Sequence, residues 1–406
     1  MYPSSMLPPG LPLIHCVEMH TSGEPTRIIY DGFPKLTGTL MEQRAQAQNE
    51  CSHLRRRLML EPRGHDDMYG AVLCLDTELT QTGAADMGVL FMHNEGFSTM
   101  CGHATIALGR FIVDNQTNPA VLPPRRKRLE YDAETKITLV RLHVPCGMVE
   151  IQVPALGEGQ RADTSRLVSF TSVKSFATGL NVTVEIDPEF RWPQLGQRTS
   201  VTVDFSYGGA FYCLVTPEEL GFHAGLAEAD KSQMGFATTM LKAAANSRPE
   251  LGRYFQHPDA TELGFLYSIM LVDKKGTFCK GAEEAEGFSG QETGLCFFAN
   301  QQVDRSPTGG AVAARVALAH ARGLRKAGER WRYQSLLSRH HGGLGSFAGT
   351  IIGEGHLPVE DDRGKPVPYV RVKVEGSAHY TGYHAFTSEK EDMIGRNGFS
   401  LADTGL

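Results

Sequence analysis

Cys101 is the residue whose type and position suggest chemistry most directly, because it precedes Gly102 at the start of a predicted helix over residues 103–113. Unpaired backbone N–H groups and the helix dipole lower the pKa of a thiol at a helix start, and the same N–H groups can bind a carboxylate. One helix start can therefore hold a small acid and present a base to the carbon beside its carboxylate. For the other seven cysteines, including Cys146 between two predicted strands, we expect buried and unreactive thiols.

A second helix start with a similar pattern lies in the other half of the chain. Residues 101–107 read CGHATIA and residues 308–314 read TGGAVAA, so that one glycine and two alanines match. Small side chains at these positions suit a helix enclosed by a sheet, where larger ones would clash. We interpret the pair as a duplicated α/β unit whose two helix starts face each other across a cleft. Chance similarity between two alanine-rich helices is the alternative.

The elements that would position these helix starts are mainly short strands separated by turns. Alternating and β-branched runs predict strands at residues 13–19, 27–30, 71–75, 137–144, 147–153, 200–205, 210–215, 350–352 and 369–374. Helical periodicity predicts helices at residues 103–113, 228–245 and 310–323. The sequence therefore predicts an α/β (α+β) fold.

Composition and charge are those of a folded globular protein that binds neither nucleic acid nor membrane. The 406 residues are 41% hydrophobic and 21% charged with a formal net charge of −6, whereas nucleic-acid-binding proteins usually have a basic surplus. No stretch approaches the roughly 20 apolar residues of a membrane span, and residues 1–13 lack the features of a signal peptide. No cysteines form a C-x-x-C pair, so a zinc site of that type is not expected. We therefore expect a cytoplasmic protein with free thiols.

Seven motifs, in order along nearly the whole chain, resemble those of the proline racemase family. They are HTSGEP at residues 20–25, PRGHDDMYG at 62–70, HNEG at 93–96, MCGH at 100–103, YGGAFY at 207–212, VDRSPTG at 303–309 and AHYTG at 378–382. The resemblance implies the diaminopimelate epimerase-like fold, with two pseudo-symmetric halves, each a curved β-sheet around a central helix, and the active site in the cleft between them. It implies residues 10–198 for the first half and 199–392 for the second, with a C-terminal segment that can cross back. It also implies no metal and no organic cofactor.

Racemases of this family carry a cysteine at each helix start, one on either face of the substrate Cα. Cys101 matches the first, but Thr308 stands at the second, and an alkyl hydroxyl has no useful anionic form near neutral pH. Threonine at this position resembles the family members that dehydrate trans-3-hydroxy-L-proline, which is a hydro-lyase reaction. In that substrate the hydroxyl and the Cα hydrogen lie on the same ring face. A single thiolate therefore suits a syn elimination that gives pyrroline-2-carboxylate.

The resemblance also implies which residues bind a hydroxylated proline. The matching positions are Gly102, His103, Gly309, Gly310, Asp304, Tyr69 and Phe298. Backbone N–H groups of the residues at the helix starts would hold the carboxylate. The His103 and Asp304 side chains would contact the ring nitrogen, and the two aromatic residues would form the pocket wall, although core packing explains each aromatic residue equally well. Gly310 and Ala311 depart from the pattern, since racemases have threonine and then glycine there.

Two other functions remain open from the sequence. A proline or hydroxyproline epimerase would need Cys101 to work with a second acid other than Thr308. A non-catalytic amino-acid-binding protein would keep the pocket without the chemistry, but retention of Cys101, His103 and Asp304 together disfavours it. The segments at 33–51 and 222–253 are longer than in a minimal family member, either as surface insertions or as part of a homodimer contact. The sequence does not indicate which isomer of proline or hydroxyproline is preferred.

Overall fold

The computed structural model describes residues 7–124, 128–226, 230–273, 287–360 and 364–401. The first ten strands are β1 (Ile14–Thr21), β2 (Glu24–Asp31), β3 (Gly70–Cys74), β4 (Met87–Met92), β5 (Phe97–Ser98), β6 (Glu130–Asp132), β7 (Ile137–Val144), β8 (Gly147–Leu156), β9 (Arg161–Ala162) and β10 (Val168–Thr171). They are followed by β11 (Phe176–Glu185), β12 (Ser200–Tyr207), β13 (Phe211–Val215), β14 (Leu266–Asp273), β15 (Gly290–Phe298), β16 (Gln302–Val303), β17 (Arg330–Gln334), β18 (Phe347–Glu360), β19 (Pro366–Gly376) and β20 (Ala378–Phe386). The helices are α1 (Leu40–Glu50), α2 (Ser52–Met59), α3 (Glu78–Thr82), α4 (Gly102–Asp114), α5 (Lys231–Asn246), α6 (Gly309–Ala321) and α7 (Leu336–His340).

The predicted helices and strands are confirmed, and the structure adds others. The three predicted helices correspond to α4, α5 and α6; residues 228 and 229 of the second lie outside the described residues. The predicted strands overlap β1, β2, β3, β7, β8, β12, β13, β18 and β19. The hydrophobic pattern does not predict α1, yet Thr39 and Glu42 form a capping box at its start, with each side chain accepting from the other's backbone N–H.

Most of the strands form one continuous run of hydrogen-bonded neighbours. The order is β20-β1-β2-β3-β4-β7-β8-β10-β19-β18-β17-β15-β14-β13-β12-β11. Read inward from either end, neighbouring pairs have the same orientations: two antiparallel, one parallel, one antiparallel, one parallel and two antiparallel. The two halves therefore share one topology and are joined by the β10–β19 pair, which confirms the duplicated α/β unit.

The helices α4 and α6 take equivalent places in the two halves. The first follows β5 and packs against β1, β2, β7, β8, β10 and β20, while the second follows β16 and packs against β11, β12, β13, β18 and β19. Both are apolar on nearly every side, and Ile106, Phe111 and Val312 are among their fully buried side chains. A helix enclosed in this way needs small residues where strands approach closely. The strands thus surround both helices and fix the positions of the helix starts.

The outermost strands of the two halves are β20 in the first and β11 in the second. The C-terminal strand β20 crosses back and pairs with β1, where His379 lies opposite His20. The strand β11 pairs with β12, where Val184 lies opposite Val201, although its residues fall within the expected first half. The limits 10–198 and 199–392 themselves stay a prediction.

The long segments at 33–51 and 222–253 cover the other faces of the two sheets. In β2, Ile28 belongs to the core around α4, while its neighbour Ile29 packs with Leu40 and Leu58 of α1 and α2. Successive strand residues point to opposite faces, so the added helices bury a face that α4 leaves uncovered. The helix α5 does the same in the second half, where Leu241 joins the cluster on the far side of β12 and β13. Within the described ranges, none of the helices has the length and apolar character needed to cross a membrane.

Candidate active site

The first turns of α4 and α6 are in contact with each other. A Cβ placed on Gly102 would lie 2.4 Å from Gly309 Cα, and one placed on Gly309 would lie 2.8 Å from Gly102 Cα. A side chain at either position would push the helix starts apart, so this approach needs glycine at both. The residues just before them, Cys101 and Thr308, are the N-caps of their helices and line one cavity.

The Cys101 side chain takes the place usually held by an N-cap oxygen. Its Sγ accepts a hydrogen bond from the Ala104 N–H at 3.4 Å. The same Sγ lies 3.3 Å from Nδ1 and 3.5 Å from Nε2 of His103. Because a neutral imidazole has one unprotonated nitrogen, His103 can accept the thiol proton.

Burial is the largest influence on the pKa of the Cys101 thiol. Loss of hydration raises the pKa of Cys101 well above its ordinary value, although the Ala104 N–H stabilises the thiolate. The Asp304 and Glu24 carboxylates raise this pKa further, while the Tyr69 hydroxyl opposes them. The backbone donor at the helix start lowers the pKa of Cys101 as expected, but desolvation outweighs it, so the net shift is upward.

His103 is a buried, neutral base beside the thiol. Burial lowers the pKa of His103, and the nearby Asp304 carboxylate only partly offsets this. Its Nδ1 lies 3.9 Å from Asp304 Oδ2, and its carbonyl accepts from the Thr21 hydroxyl at 2.9 Å. The three side chains of Cys101, His103 and Asp304 therefore form a connected group of thiol, imidazole and carboxylate.

Thr308 is held in a strained conformation. Its φ of 61° and ψ of 89° lie in the left-handed region, which costs a β-branched residue about 1–3 kcal/mol. The Thr308 hydroxyl donates to Asp304 Oδ2 at 2.8 Å, and its N–H donates to Ser306 Oγ at 3.1 Å. The Ser306 N–H also donates to Asp304 Oδ1 at 2.7 Å. These bonds direct the hydroxyl proton toward Asp304.

Aromatic side chains enclose the cavity. Tyr69 and Phe298 line it together with Tyr212 and Tyr267, and all four are at most 8% exposed. The Tyr69 ring meets His103 edge-on with centroids 4.7 Å apart, and the Phe298 centroid lies 6.0 Å from those of Tyr69 and Tyr267. Such a wall excludes water and strengthens the electrostatic interactions within the cavity.

The structure brings almost all of the sequence-predicted site residues together. Those that line the cavity are Tyr69, Cys101, Gly102, His103, Phe298, Asp304, Thr308 and Gly310. Gly309 lies instead at the contact between the two helix starts, with Phe170 on its other side. The individual roles given to these residues stay predictions.

Sequence reasoning missed some residues of the cavity. They are Met100, Tyr212, Tyr267 and Cys296. Cys296 was expected to be one of seven buried, unreactive thiols, of which Cys279 lies outside the described residues. Its Sγ lies 3.2 Å from Ser268 Oγ, and burial raises its pKa to about 12. The signal was its spacing, since Cys296 and Phe298 are two apart on β15 and must share a face.

A possible metal-binding group lies outside the cavity. Among the described residues, Cys16, Glu18 and His384 have ligand atoms within 4.8 Å of one another. Glu18 already pairs with the buried guanidinium of Arg27, and burial raises the pKa of Cys16 to about 12. A cation would have to displace the thiol proton and share one carboxylate with an arginine, so we assign this group no metal.

Comparison with known proteins agrees with this architecture. A family model described as proline racemase matches residues 16–400, which include both halves and the whole cavity. The chain belongs to the proline racemase family.

Within this family, the chain is similar to proteins named as dehydratases. It is 38% identical to the human trans-3-hydroxy-L-proline dehydratase, over 97% of this chain and 96% of the relative. It is 33% identical to the Burkholderia ambifaria protein of the same name, over 93% of this chain and 95% of the relative.

Solved structures support the fold. A probable proline racemase from Agrobacterium radiobacter superposes with a TM-score of 0.72 at 23% identity, covering 96% of this chain and 97% of the other. A hydroxyproline epimerase from Agrobacterium vitis gives 0.71 at 22% identity, covering 97% and 96%. At these identities the likeness establishes the architecture alone.

Proposed function

We propose that this protein is a trans-3-hydroxy-L-proline dehydratase, a hydro-lyase of the proline racemase family. The observation that carries the proposal is the pair of unlike side chains at the two helix starts, the Cys101 thiol and the Thr308 hydroxyl. A thiol can remove and return a proton at Cα, whereas a hydroxyl bonded to Asp304 is too weak an acid to do so from the other face. The 38% identity to the human dehydratase points to the same reaction.

The substrate carboxylate would bind where the helix starts meet. The N–H groups of Gly102, His103, Gly309 and Gly310 lie in first turns, where a helix has unpaired donors and the positive end of its dipole. A carboxylate held there would set Cα between Cys101 and Thr308. The same donors would stabilise the negative charge that grows as the Cα proton leaves.

Cys101 would become a base by passing its proton to His103. The contact of 3.3 Å between Sγ and Nδ1 supports this transfer, and Asp304 at 3.9 Å would stabilise the imidazolium. A thiolate beside an imidazolium costs less than an isolated buried thiolate, which offsets the effect of burial on the pKa of Cys101.

Asp304 and His103 would also face the ring nitrogen of the substrate. A carboxylate near a secondary ammonium favours its charged form, and that charge acidifies the neighbouring Cα hydrogen. Both side chains are at most 3% exposed, so little water would screen this interaction.

The elimination moves one proton and one hydroxyl group. The Cα–H bond breaks as its proton passes to the Cys101 thiolate, and its electron pair is held at Cα and the adjoining carboxylate. This pair forms the double bond to the neighbouring carbon as the C–O bond there breaks, and the hydroxyl leaves as water by taking the proton from the Cys101 thiol on the same ring face. The enamine product tautomerises to pyrroline-2-carboxylate, so atoms and charge balance without oxidant or reductant.

The proposal is tested by incubating the purified protein with trans-3-hydroxy-L-proline, L-proline and trans-4-hydroxy-L-proline in separate reactions. Imine formation is followed chemically and epimer formation by chiral chromatography. We expect imine from the 3-hydroxy substrate alone. Epimers without imine would overturn the proposal.

A hydroxyproline epimerase is the second candidate, and Cys296 is the observation that favours it. Its thiol lines the same cavity and interacts with the Thr308 hydroxyl. Burial raises the pKa of Cys296 to about 12, and Ser268 holds its sulfur, so we rank it below Cys101 as an acid or base. Epimer formation that is lost in Cys296→Ser would establish this candidate.

The remaining expectations about compartment and partners belong to the same proposal. We place the reaction in the cytoplasm, where free thiols persist, and seven described cysteines are free. A homodimer stays an expectation for the segments at 33–51 and 222–253, and nucleic acid is not an expected partner of a chain with a net charge of −6.

A further inference from the structure

Glu24 is a buried carboxyl beside the site that the proposed reaction does not use. It is the first residue of β2, directly after the turn formed by Ser22 and Gly23, and it is 0% exposed. The tip of this hairpin packs against the start of α4, where the Thr21 hydroxyl donates to the His103 carbonyl. The hairpin therefore connects Glu24 to one side of the catalytic group.

Glu24 also holds the loop that carries Asp304. Its Oε2 accepts the backbone N–H of Arg305 at 2.8 Å, although the two residues come from different halves of the molecule. The Arg305 guanidinium turns mainly to Asp67, with Nη2 at 2.7 Å from Asp67 Oδ2 and Nη1 at 3.7 Å from Glu24 Oε2. The backbone contact thus fixes the residue next to Asp304.

Only one of the two buried carboxyls is well supplied with donors. Asp304 accepts from the Ser306 N–H and from the Thr308 hydroxyl, and it lies near His103. Glu24 Oε1 is buried and has no hydrogen-bonding partner among the described residues. Neighbouring carboxylates in a medium of low dielectric do not both ionise readily, so the proton belongs on the poorly solvated one. In agreement, burial raises the pKa of Glu24 well above its ordinary value, and the charge on Asp304 adds to this effect.

We infer that Glu24 is a positioning residue of the active site, which holds the Asp304 loop through the Arg305 N–H while its own carboxyl stays neutral. Asp304 then carries the single negative charge beneath the substrate nitrogen. A second charge at Glu24 would make the Cys101 thiolate harder to form. The inference rests on the proposed function for its catalytic consequence, but not for the protonation state of Glu24.

The first test measures protonation without activity. A carboxyl that keeps its proton in the folded state costs stability increasingly as pH rises above the unfolded pKa of about 4.5, whereas glutamine has no such cost. We expect the melting temperature of Glu24→Gln, relative to the wild type, to rise between about pH 5 and pH 8. The matched control is Glu18→Gln, which replaces a buried glutamate of β1 that pairs with Arg27, measured over the same pH range. A Glu24→Gln difference that is independent of pH would overturn the inference.

The second test measures positioning. The amide oxygen of Glu24→Gln can still accept the Arg305 N–H, whereas Glu24→Ala loses that contact. We expect kcat/KM for imine formation to fall by more than about tenfold in Glu24→Ala, the effect of roughly one lost buried hydrogen bond, and to be largely rescued in Glu24→Gln. Equal losses in the two variants would contradict the inference. If the wild type forms no imine, the proposed function fails while the melting measurement still decides the state of Glu24.

Discussion

At the scale of single residues, opposing effects on Cys101 decide how the site works. Burial raises the pKa of the thiol and the Ala104 N–H counters this, while His103 lies within 3.3 Å as an acceptor for the thiol proton. The sequence locates Cys101 at a helix start but cannot show how much water it loses there. The hydration of this thiol depends on side chains from distant segments of the chain, such as Tyr69 and Phe298. The local sequence around Cys101 does not show that they pack there.

The titration of Cys101 gives a pH dependence. Because its pKa is raised, the thiolate becomes more populated as pH increases through and beyond neutrality, so kcat/KM should rise over that range. Alkylation of Cys101 by iodoacetamide should rise in parallel. In Cys101→Ser, imine formation should fall by at least about a hundredfold, since a general base contributes that much or more. A variant with full activity would remove Cys101 from the mechanism.

At the scale of elements, the contact between α4 and α6 makes the site. The similarity of residues 101–107 and 308–314 predicts two related helix starts. In the structure these starts are in contact at Gly102 and Gly309. The helix α1 shows what the pattern misses, because its apolar residues are few and its clearest signal is the capping pair Thr39 and Glu42. The pairing of β20 with β1 also cannot be derived from local sequence, since the two strands come from opposite ends of the chain.

The contact between helices can be tested at Gly102. In Gly102→Ala, the new Cβ would lie 2.4 Å from Gly309 Cα and would force the two helix starts apart. We expect a lower melting temperature, from a cost of about 1–3 kcal/mol for overpacking, and a larger loss of kcat than of substrate affinity. Gly96→Ala is a suitable control, because nothing lies within 4 Å of a Cβ placed there. Equal behaviour of the two variants would show that close approach is not required.

At the scale of the whole molecule, two halves of the same topology have unlike chemical groups at equivalent positions. The strand pattern and the enclosed helices repeat, but one helix start has the Cys101 thiol and the other the Thr308 hydroxyl. The seven motifs between residues 20 and 382 predict this repeated architecture well, because they match one family in order along nearly the whole chain. They do not predict Glu24 as a link between the halves, since its contact with Arg305 arises only when the halves meet. The asymmetry supports removal of one proton from one face and loss of water from that same face.

The most direct measurement uses trans-3-hydroxy-L-proline with deuterium at Cα, added to the wild-type protein without metal or cofactor. We expect pyrroline-2-carboxylate to form more slowly than from the unlabelled substrate, with Cys101→Ser inactive as the control. Recovery of epimerised 3-hydroxyproline that has lost the label, with no imine, would contradict elimination and indicate that a second group works opposite Cys101.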